Sequence, residues 1–190
     1  GNTFYGDKPI DETDTRGTAL GLVGTSTTPT IQNNTFLMGY DASETVAFNS
    51  SFLHVYADGM TFTTNTVRVT SLASPANLKM TLDIRTVGGV FSLSGNTLTS
   101  PLDSGSCQTV NIQPALEIGM TPSFTFTNNT LRTRCGGTGD IVKVHSAGIG
   151  AETMTATLLF TRNLFFGDDS GGFVVNFADM SGPSSASATF

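Results

Sequence analysis

The sequence is poor in charge, because Asp, Glu, Lys and Arg make up only 13% of its 190 residues, about half the share in ordinary soluble domains. Thr, Ser, Asn and Gly take the place of the missing charges. This composition argues against intrinsic disorder, which goes with high net charge or low hydrophobicity. It also argues against a helical bundle, which is rich in Ala, Leu, Glu and Lys. The net charge of −6 argues against a nucleic-acid partner.

Aromatic side chains and long apolar runs are scarce as well. The sequence has no Trp and three Tyr, which removes the usual stacking platforms of a carbohydrate-binding sandwich. No apolar run approaches the roughly 20 residues that a membrane helix needs, so we expect no membrane-spanning segment. The polar, acidic residues 1–17 do not have the pattern of a signal peptide. We therefore interpret the sequence, if the protein is secreted, as that of the mature form.

The sequence contains two cysteines, Cys107 and Cys135. No histidine stands near them in metal-ligand spacing, so we predict no zinc site and no other metal or cofactor. A disulfide between the two is the favoured interpretation, and two buried thiols are the alternative. A disulfide would place the protein in an oxidising compartment, which favours an extracellular location.

Apolar and polar residues alternate along several segments, the pattern of half-buried β-strands. In the clearest segment, Leu78, Met80, Leu82 and Ile84 alternate with polar and charged residues. No window of a dozen residues shows helical periodicity. Further segments show the same alternation, at 124–126, 142–144, 154–160 and 173–177.

Turn-forming pairs separate these segments, including Asp58-Gly59, Gly95-Asn96 and Asn128-Asn129, and pairs of this type are common in β-hairpins. Many short strands at regular spacing are typical of sandwiches, jelly rolls and barrels. We therefore predict an all-β protein, an immunoglobulin-like or jelly-roll β-sandwich that a strand from a neighbouring subunit could complete.

The two ends of the chain differ in composition from its middle. A charge-rich leader is followed by a short alternating run, and the last ten residues are small and polar. We predict an N-terminal extension over 1–29, a β-sandwich domain over 30–180 and a polar C-terminal tail over 181–190.

One segment is similar to a catalytic motif. Residues 167–172 read GDDSGG and resemble the GDSGG segment around the nucleophile of trypsin-like serine proteases, and His54, Asp103 and Ser170 follow that family's order. The extra Asp169 changes which backbone N–H groups could stabilise an oxyanion. A loop of Gly, Asp and Ser explains the segment equally by its turn chemistry. We predict no catalytic residue, and we expect both histidines to be structural.

The β-rich, charge-poor character, the cysteine pair and the polar ends resemble those of pilins that polymerise by donor-strand complementation. This resemblance implies a structural subunit of an extracellular, cell-surface filament that supports attachment. It also implies head-to-tail assembly of identical subunits, in which each lends a strand to a groove in the next, with an assembly chaperone as a further partner. The alternative is a viral or phage capsid, tail-tube or decoration protein, which reduced cysteines would favour.

The predicted donor strand is the short alternating run that follows the charged leader. Its two leucines are on one face, and its glycines would allow close approach to another backbone. The residues of this donor strand are Ala19, Leu20, Gly21, Leu22, Val23 and Gly24.

Overall fold

The structure is a computed structural model. It describes residues 1–6, 20–24, 28–38, 50–69, 78–100, 106–114, 119–135, 137–145, 153–167, 172–178 and 185–190.

The described chain consists of β-strands joined by corners and loops, with no helix among the described residues. The strands in chain order are β1 (Thr3–Gly6), β2 (Leu20–Gly24), β3 (Thr30–Gln32), β4 (Thr35–Met38), β5 (Ser50–Thr63), β6 (Thr66–Val69), β7 (Leu78–Ser94), β8 (Thr97–Thr99), β9 (Cys107–Pro114), β10 (Ser123–Thr127), β11 (Thr130–Thr133), β12 (Gly139–His145), β13 (Thr155–Thr161), β14 (Leu164–Gly167), β15 (Val175–Ala178) and β16 (Ser185–Thr189).

Every pairing between these strands is parallel, so the described chain forms a parallel β-solenoid. The register is continuous in most pairs, and in the β5–β7 pair it shifts between Ser50 and Ser51 and between Ala57 and Gly59. A six-stranded sheet runs in the order β1-β4-β6-β8-β11-β14, and a ten-stranded sheet contains the other strands. The long strands β5 and β7 bend within the larger sheet, at the positive-φ residues Gly59, Gly88 and Gly89. Each coil of the solenoid therefore contributes one strand to the six-stranded sheet and one or two to the ten-stranded sheet.

The prediction of a β-sandwich is wrong, although the prediction of an all-β protein is confirmed for the residues that the structure describes. Gly95-Asn96 and Asn128-Asn129 do lie at sharp changes of direction, but these are corners that lead from one sheet to the other. Alternation along a strand shows which side chains are buried, and it is the same in parallel and antiparallel sheets. Local sequence could not decide between a hairpin and a corner, because both use residues with positive φ.

An asparagine occupies the same place at each of these corners, 31 to 34 residues from the next one. The backbone N–H and the side-chain Nδ2 of Asn65 both donate to Oδ1 of Asn96, at 2.9 and 3.3 Å. Asn96 donates in the same way to Asn129, at 2.9 and 3.0 Å. The asparagine ladder consists of Asn2, Asn34, Asn65, Asn96, Asn129 and Asn163.

The ladder asparagines also bond to the backbone of the preceding coil. Nδ2 of Asn96 donates to the carbonyl of Phe62 at 2.7 Å, and Nδ2 of Asn129 donates to that of Leu93 at 2.8 Å. Asn96 and Asn129 are each 1% exposed, so these bonds satisfy buried amides that would otherwise be costly. The residue before each of these asparagines has a left-handed φ, 65° at Gly95 and 54° at Asn128, which makes the corner sharp.

The hydrophobic core lies between the sheets and is built from stacked rows of like side chains. Phe91 stacks on Phe124 at 4.7 Å between ring centroids, and Phe126 stacks on Phe160 at 4.8 Å. In-register parallel pairing places these residues directly above one another. Burial of such rings is the main stabilising contribution in a core of this kind.

Both ends of the described chain belong to the same stack. Thr3–Gly6 pairs with β4, and Ser185–Thr189, which composition assigned to a loose tail, pairs with β13. The predicted donor residues Leu20, Gly21, Leu22, Val23 and Gly24 form β2 and pair with β5 of the same chain, while Ala19 lies outside the described residues.

Cys107 at the start of β9 and Cys135 just after β11 form a disulfide, with their Cα atoms 5.9 Å apart. Both cysteines are buried. The bond joins the segment just after β11, a strand of the six-stranded sheet, to the first residue of β9 in the ten-stranded sheet, and it links residues 28 positions apart. A disulfide indicates a protein outside the reducing cytoplasm.

Candidate functional site

A row of polar side chains crosses the part of the ten-stranded sheet that contains β5, β7, β9, β12 and β15. The register aligns one polar residue from each strand, and in every case the two chain neighbours contribute to the core or pack against it. Since side chains alternate along a strand, the polar residues face away from that core. The polar row consists of His54, Asp83, Asn111, Lys143 and Asn176.

Asp83 is the centre of the hydrogen bonding in this row. Nδ1 of His54 lies 2.9 Å from Oδ2 of Asp83, and Nε of Arg85 lies 3.3 Å from the same oxygen. Nδ2 of Asn111 donates to the other oxygen, Oδ1, at 2.8 Å, and Nε2 of Gln113 donates to it at 3.1 Å. The carboxylate thus has four partners from three adjacent strands, although its side chain is only 2% exposed.

The surroundings keep Asp83 ionised. Burial raises the pKa of the carboxyl, but the hydrogen bond to His54, the charge of Arg85 and the hydrogen bond from Asn111 outweigh it, and the net pKa is lowered. An ionised carboxylate only accepts hydrogen bonds, so Nδ1 of His54 is the donor. In the neutral ring, Nε2 is then the acceptor. The side chain of His54 is 13% exposed.

Two further groups in the row remain available for bonding. Oδ1 of Asn111 is buried and has no hydrogen-bond partner among the described residues. Lys143 is next to Asn111 in the register, and no carboxylate in the described part of the chain forms an ion pair with it. The partly exposed groups of the row are the cation of Lys143 and the ring of His54. Asn111 is only 2% exposed, and Nδ2 of Asn176 donates to Oδ2 of the buried Asp140 at 2.9 Å.

Sequence reasoning missed this arrangement. The sequence analysis predicts a structural role for His54. It assigns Asp83 and Arg85 only to the polar face of a predicted strand. The signal that could have revealed it is the position of charged and amide residues between core residues in a chain with so few charges. Without the parallel register, nothing connected His54 with Asp83 or Asn111.

The structure does not assemble the protease-like triad in the residues it describes. His54 pairs with Asp83, and both Asp103 and Ser170 lie outside the described residues. Among the described residues there is also no group of three or more His, Cys, Asp or Glu side chains that could hold a metal ion.

No protein-family model, curated protein or solved structure matches this chain. Within the described part of the chain, no helix has the length and apolar character to cross a membrane. The fold class, a parallel β-solenoid with one disulfide, and the polar row are therefore the observations from which function has to be argued.

Proposed function

We propose that the protein is a structural, non-enzymatic subunit of an extracellular filament that supports surface attachment, and that its subunits stack end to end. The single observation that carries this proposal is the parallel stack of strands, in which the corners of successive described coils repeat the same asparagine hydrogen bond. Hydrogen bonds between parallel strands run along the solenoid axis, so they resist extension of the rod in its long direction.

The outermost strands support end-to-end stacking. In the six-stranded sheet, β1 and β14 are the edge strands, and an edge strand presents unpaired backbone groups to which another chain can add. Such a contact joins different surfaces of two identical chains and does not close on itself, so repetition gives an open filament. This assembly replaces strand donation into a sandwich groove, since the fold contains no sandwich.

The rows of the two end coils are also compatible with each other. The asparagine ladder donates from each coil to the Oδ1 of the next, so Asn163 of one copy would donate to Asn2 of the following copy. In the core, Phe190 stacks on Phe160 at 5.0 Å and is itself 72% exposed. Phe190 lies at the end of the row of core side chains that begins with Ile31. Stacking of the next copy on this end would cover the exposed ring of Phe190.

The disulfide supports the extracellular interpretation over the viral one, because the viral alternative was favoured by reduced cysteines. The Cys107–Cys135 bond is of the kind that persists in an oxidising compartment.

Negative-stain electron microscopy and light scattering at rising protein concentration test this proposal. We expect filaments one solenoid wide, with fibre diffraction showing the strand repeat of about 4.8 Å along the filament axis. Phe190→Lys should abolish the filaments, because it places a charge at the stacking surface. Val90→Lys is the matched control, since Val90 is 62% exposed but lies in the middle of the rod.

Monomers at every concentration would contradict the proposal. Equal loss of filaments in both lysine variants would contradict it as well, because the effect would then come from added charge and not from the end surface.

A further inference from the structure

We infer that one outer face of the rod binds ice, the ordered lattice of water molecules, through a regular array of threonine and serine hydroxyl groups. This inference goes beyond the structural role, since it concerns the side of a single rod and does not require filaments. We name this surface the hydroxyl face. It is the outer surface of β3, β10, β13 and β16 together with residues 59–63 of β5 and 90–94 of β7.

The hydroxyl face consists of rows of hydroxyl-bearing residues, which recur at every second position along its strands. Thr61 pairs with Ser92, and Ser92 pairs with Thr125. On each strand a core residue such as Phe126 lies between the two central rows, so the hydroxyl groups point away from the core. The two central rows are Thr61, Ser92 and Thr125, and Thr63, Ser94 and Thr127.

The hydroxyl face is open to solvent. Val90 is 62% exposed and Leu159 is 44% exposed, and both side chains occupy positions within the rows. Val90 is aligned with Ser123, and Leu159 is aligned with Thr125. The face therefore presents apolar groups and hydroxyl groups side by side, without a segment of the chain that covers them.

The hydroxyl face is also uncharged. The structure describes all of the residues in the strand segments that build it, and none of them is Asp, Glu, Lys or Arg. The outer surface of the six-stranded sheet is different, because Thr99 is aligned there with Arg68 and Arg132. The β-propensity of threonine explains its use in both sheets, but it does not explain why one face excludes charge. A neutral lattice explains it, since a charged group would lose hydration at that contact.

The spacing of the rows is comparable to that of water oxygens on a prism face of ice. Neighbouring strands lie about 4.8 Å apart, and residues two positions apart along a parallel strand are separated by about 6.6 Å. Branching at Cβ restricts the χ1 angle of threonine, and the paired strands fix the backbone beneath it. The hydroxyl groups are therefore in place before binding, which lowers its entropic cost. Each hydroxyl donates one hydrogen bond and accepts two, so it can take part in a water lattice.

A crystalline polysaccharide is the other uncharged surface that carries hydroxyl groups at regular spacing. Proteins contact sugar rings mainly through aromatic side chains. The outward positions of the hydroxyl face, all within the described residues, contain no Phe, Tyr or Trp. Ice is therefore the occupant that this surface fits.

Slow growth of ice from a solution of the fluorescently labelled full chain tests the inference, together with measurement of the melting and growth temperatures of a single ice crystal. The protein is used at a concentration at which light scattering shows single rods. We expect the labelled chain to be retained in the ice, and the growth temperature to fall below the melting temperature. Thr125→Tyr should abolish both effects, because its ring would project from the middle of the hydroxyl face.

Thr99→Tyr is the matched control, because Thr99 is also a half-buried threonine on an outer strand surface, but in the six-stranded sheet. It should leave both effects unchanged. Ser92→Tyr, in the same row as Thr125, repeats the test, and thermal melting should show that the variants stay folded. Exclusion of the parent chain from ice would overturn the inference. Equal losses in Thr125→Tyr and Thr99→Tyr, or retention by microcrystalline cellulose and not by ice, would overturn it as well.

Discussion

The asparagine ladder and the polar row are both rows of polar side chains that follow the solenoid axis, but they differ in one respect. The ladder uses the same residue in every coil, whereas the polar row has His, Asp, Asn, Lys and Asn in successive strands. Identical residues are what stacking requires, since each amide must fit the next one. The variation in the polar row is not explained by stacking.

This difference suggests how polar residues in a solenoid can be assigned to stability or to function. Each buried ladder amide is satisfied by the coils above and below it. The polar row leaves Oδ1 of Asn111 unpaired and keeps Lys143 without a carboxylate partner among the described residues. Predictions that separate the two rows follow from these contacts.

The largest effect is expected from the disulfide, which belongs to neither row and joins the two sheets. Replacing Cys107 and Cys135 together by Ser should lower the free energy of unfolding by about 3–4 kcal/mol, because the unfolded chain loses a loop constraint. Urea titration of the variant and of the parent protein measures this difference. A loss below about 1 kcal/mol would show that the stack holds this corner without the bond.

Asn96→Ala should lower the free energy of unfolding by about 3 kcal/mol, since it leaves buried groups of Asn65 and Phe62 unpaired. Asn2→Ala is the control, because Asn2 is exposed at the end of the ladder, and it should cost less than about 0.5 kcal/mol. Similar costs at the two positions would show that the ladder does not stabilise the stack.

Asp83→Asn should cost about 2 kcal/mol at neutral pH, through the loss of charge-assisted hydrogen bonds. The pKa of Asp83 is lowered in the folded state, so its contribution is present above the pKa of the unfolded chain, near 4. It is lost as the pH falls through the folded pKa.

The free energy of unfolding of the parent protein and of Asp83→Asn should therefore be measured between neutral and strongly acidic pH. We expect the difference between the two free energies to become smaller as the pH falls. The cost of Asn96→Ala should stay constant, because an amide does not titrate. If the difference in free energy of unfolding between the parent protein and Asp83→Asn does not change with pH, the hydrogen-bonded cluster does not stabilise the charge of Asp83.

The smallest effect concerns the corners. Thr64 has a φ of 55°, in the left-handed region that glycine occupies at Gly95 in the next coil. Thr64→Gly should raise the free energy of unfolding by about 0.5 kcal/mol. The backbone strain that glycine relieves in the folded state outweighs the conformational entropy that glycine adds to the unfolded chain. Gly95→Ala should lower the free energy of unfolding. Thermal melting of both variants checks the pair, and equal signs would contradict it.

The sequence contained a stronger signal than alternation, the repeated Asn-Thr-apolar motif. It occurs at Asn34, Asn65, Asn96 and Asn129, always after an apolar residue three positions earlier. A regular spacing of 31 to 34 residues is typical of solenoids. Interpreting Gly95-Asn96 and Asn128-Asn129 as separate hairpin turns concealed this repeat.

The sequence by itself determined the all-β class and the buried faces of the clearly alternating strands, and it favoured the cysteine pair, because these depend on local alternation and on composition. It did not determine β1 and β16, which lie in the segments assigned to an N-terminal extension and a polar tail. Only the tertiary structure decided that the strands pair in parallel and which residues share a row. A row such as His54, Asp83 and Asn111 joins residues about 30 positions apart. Its existence depends on register between coils, and a shift of one residue would turn each side chain to the opposite face.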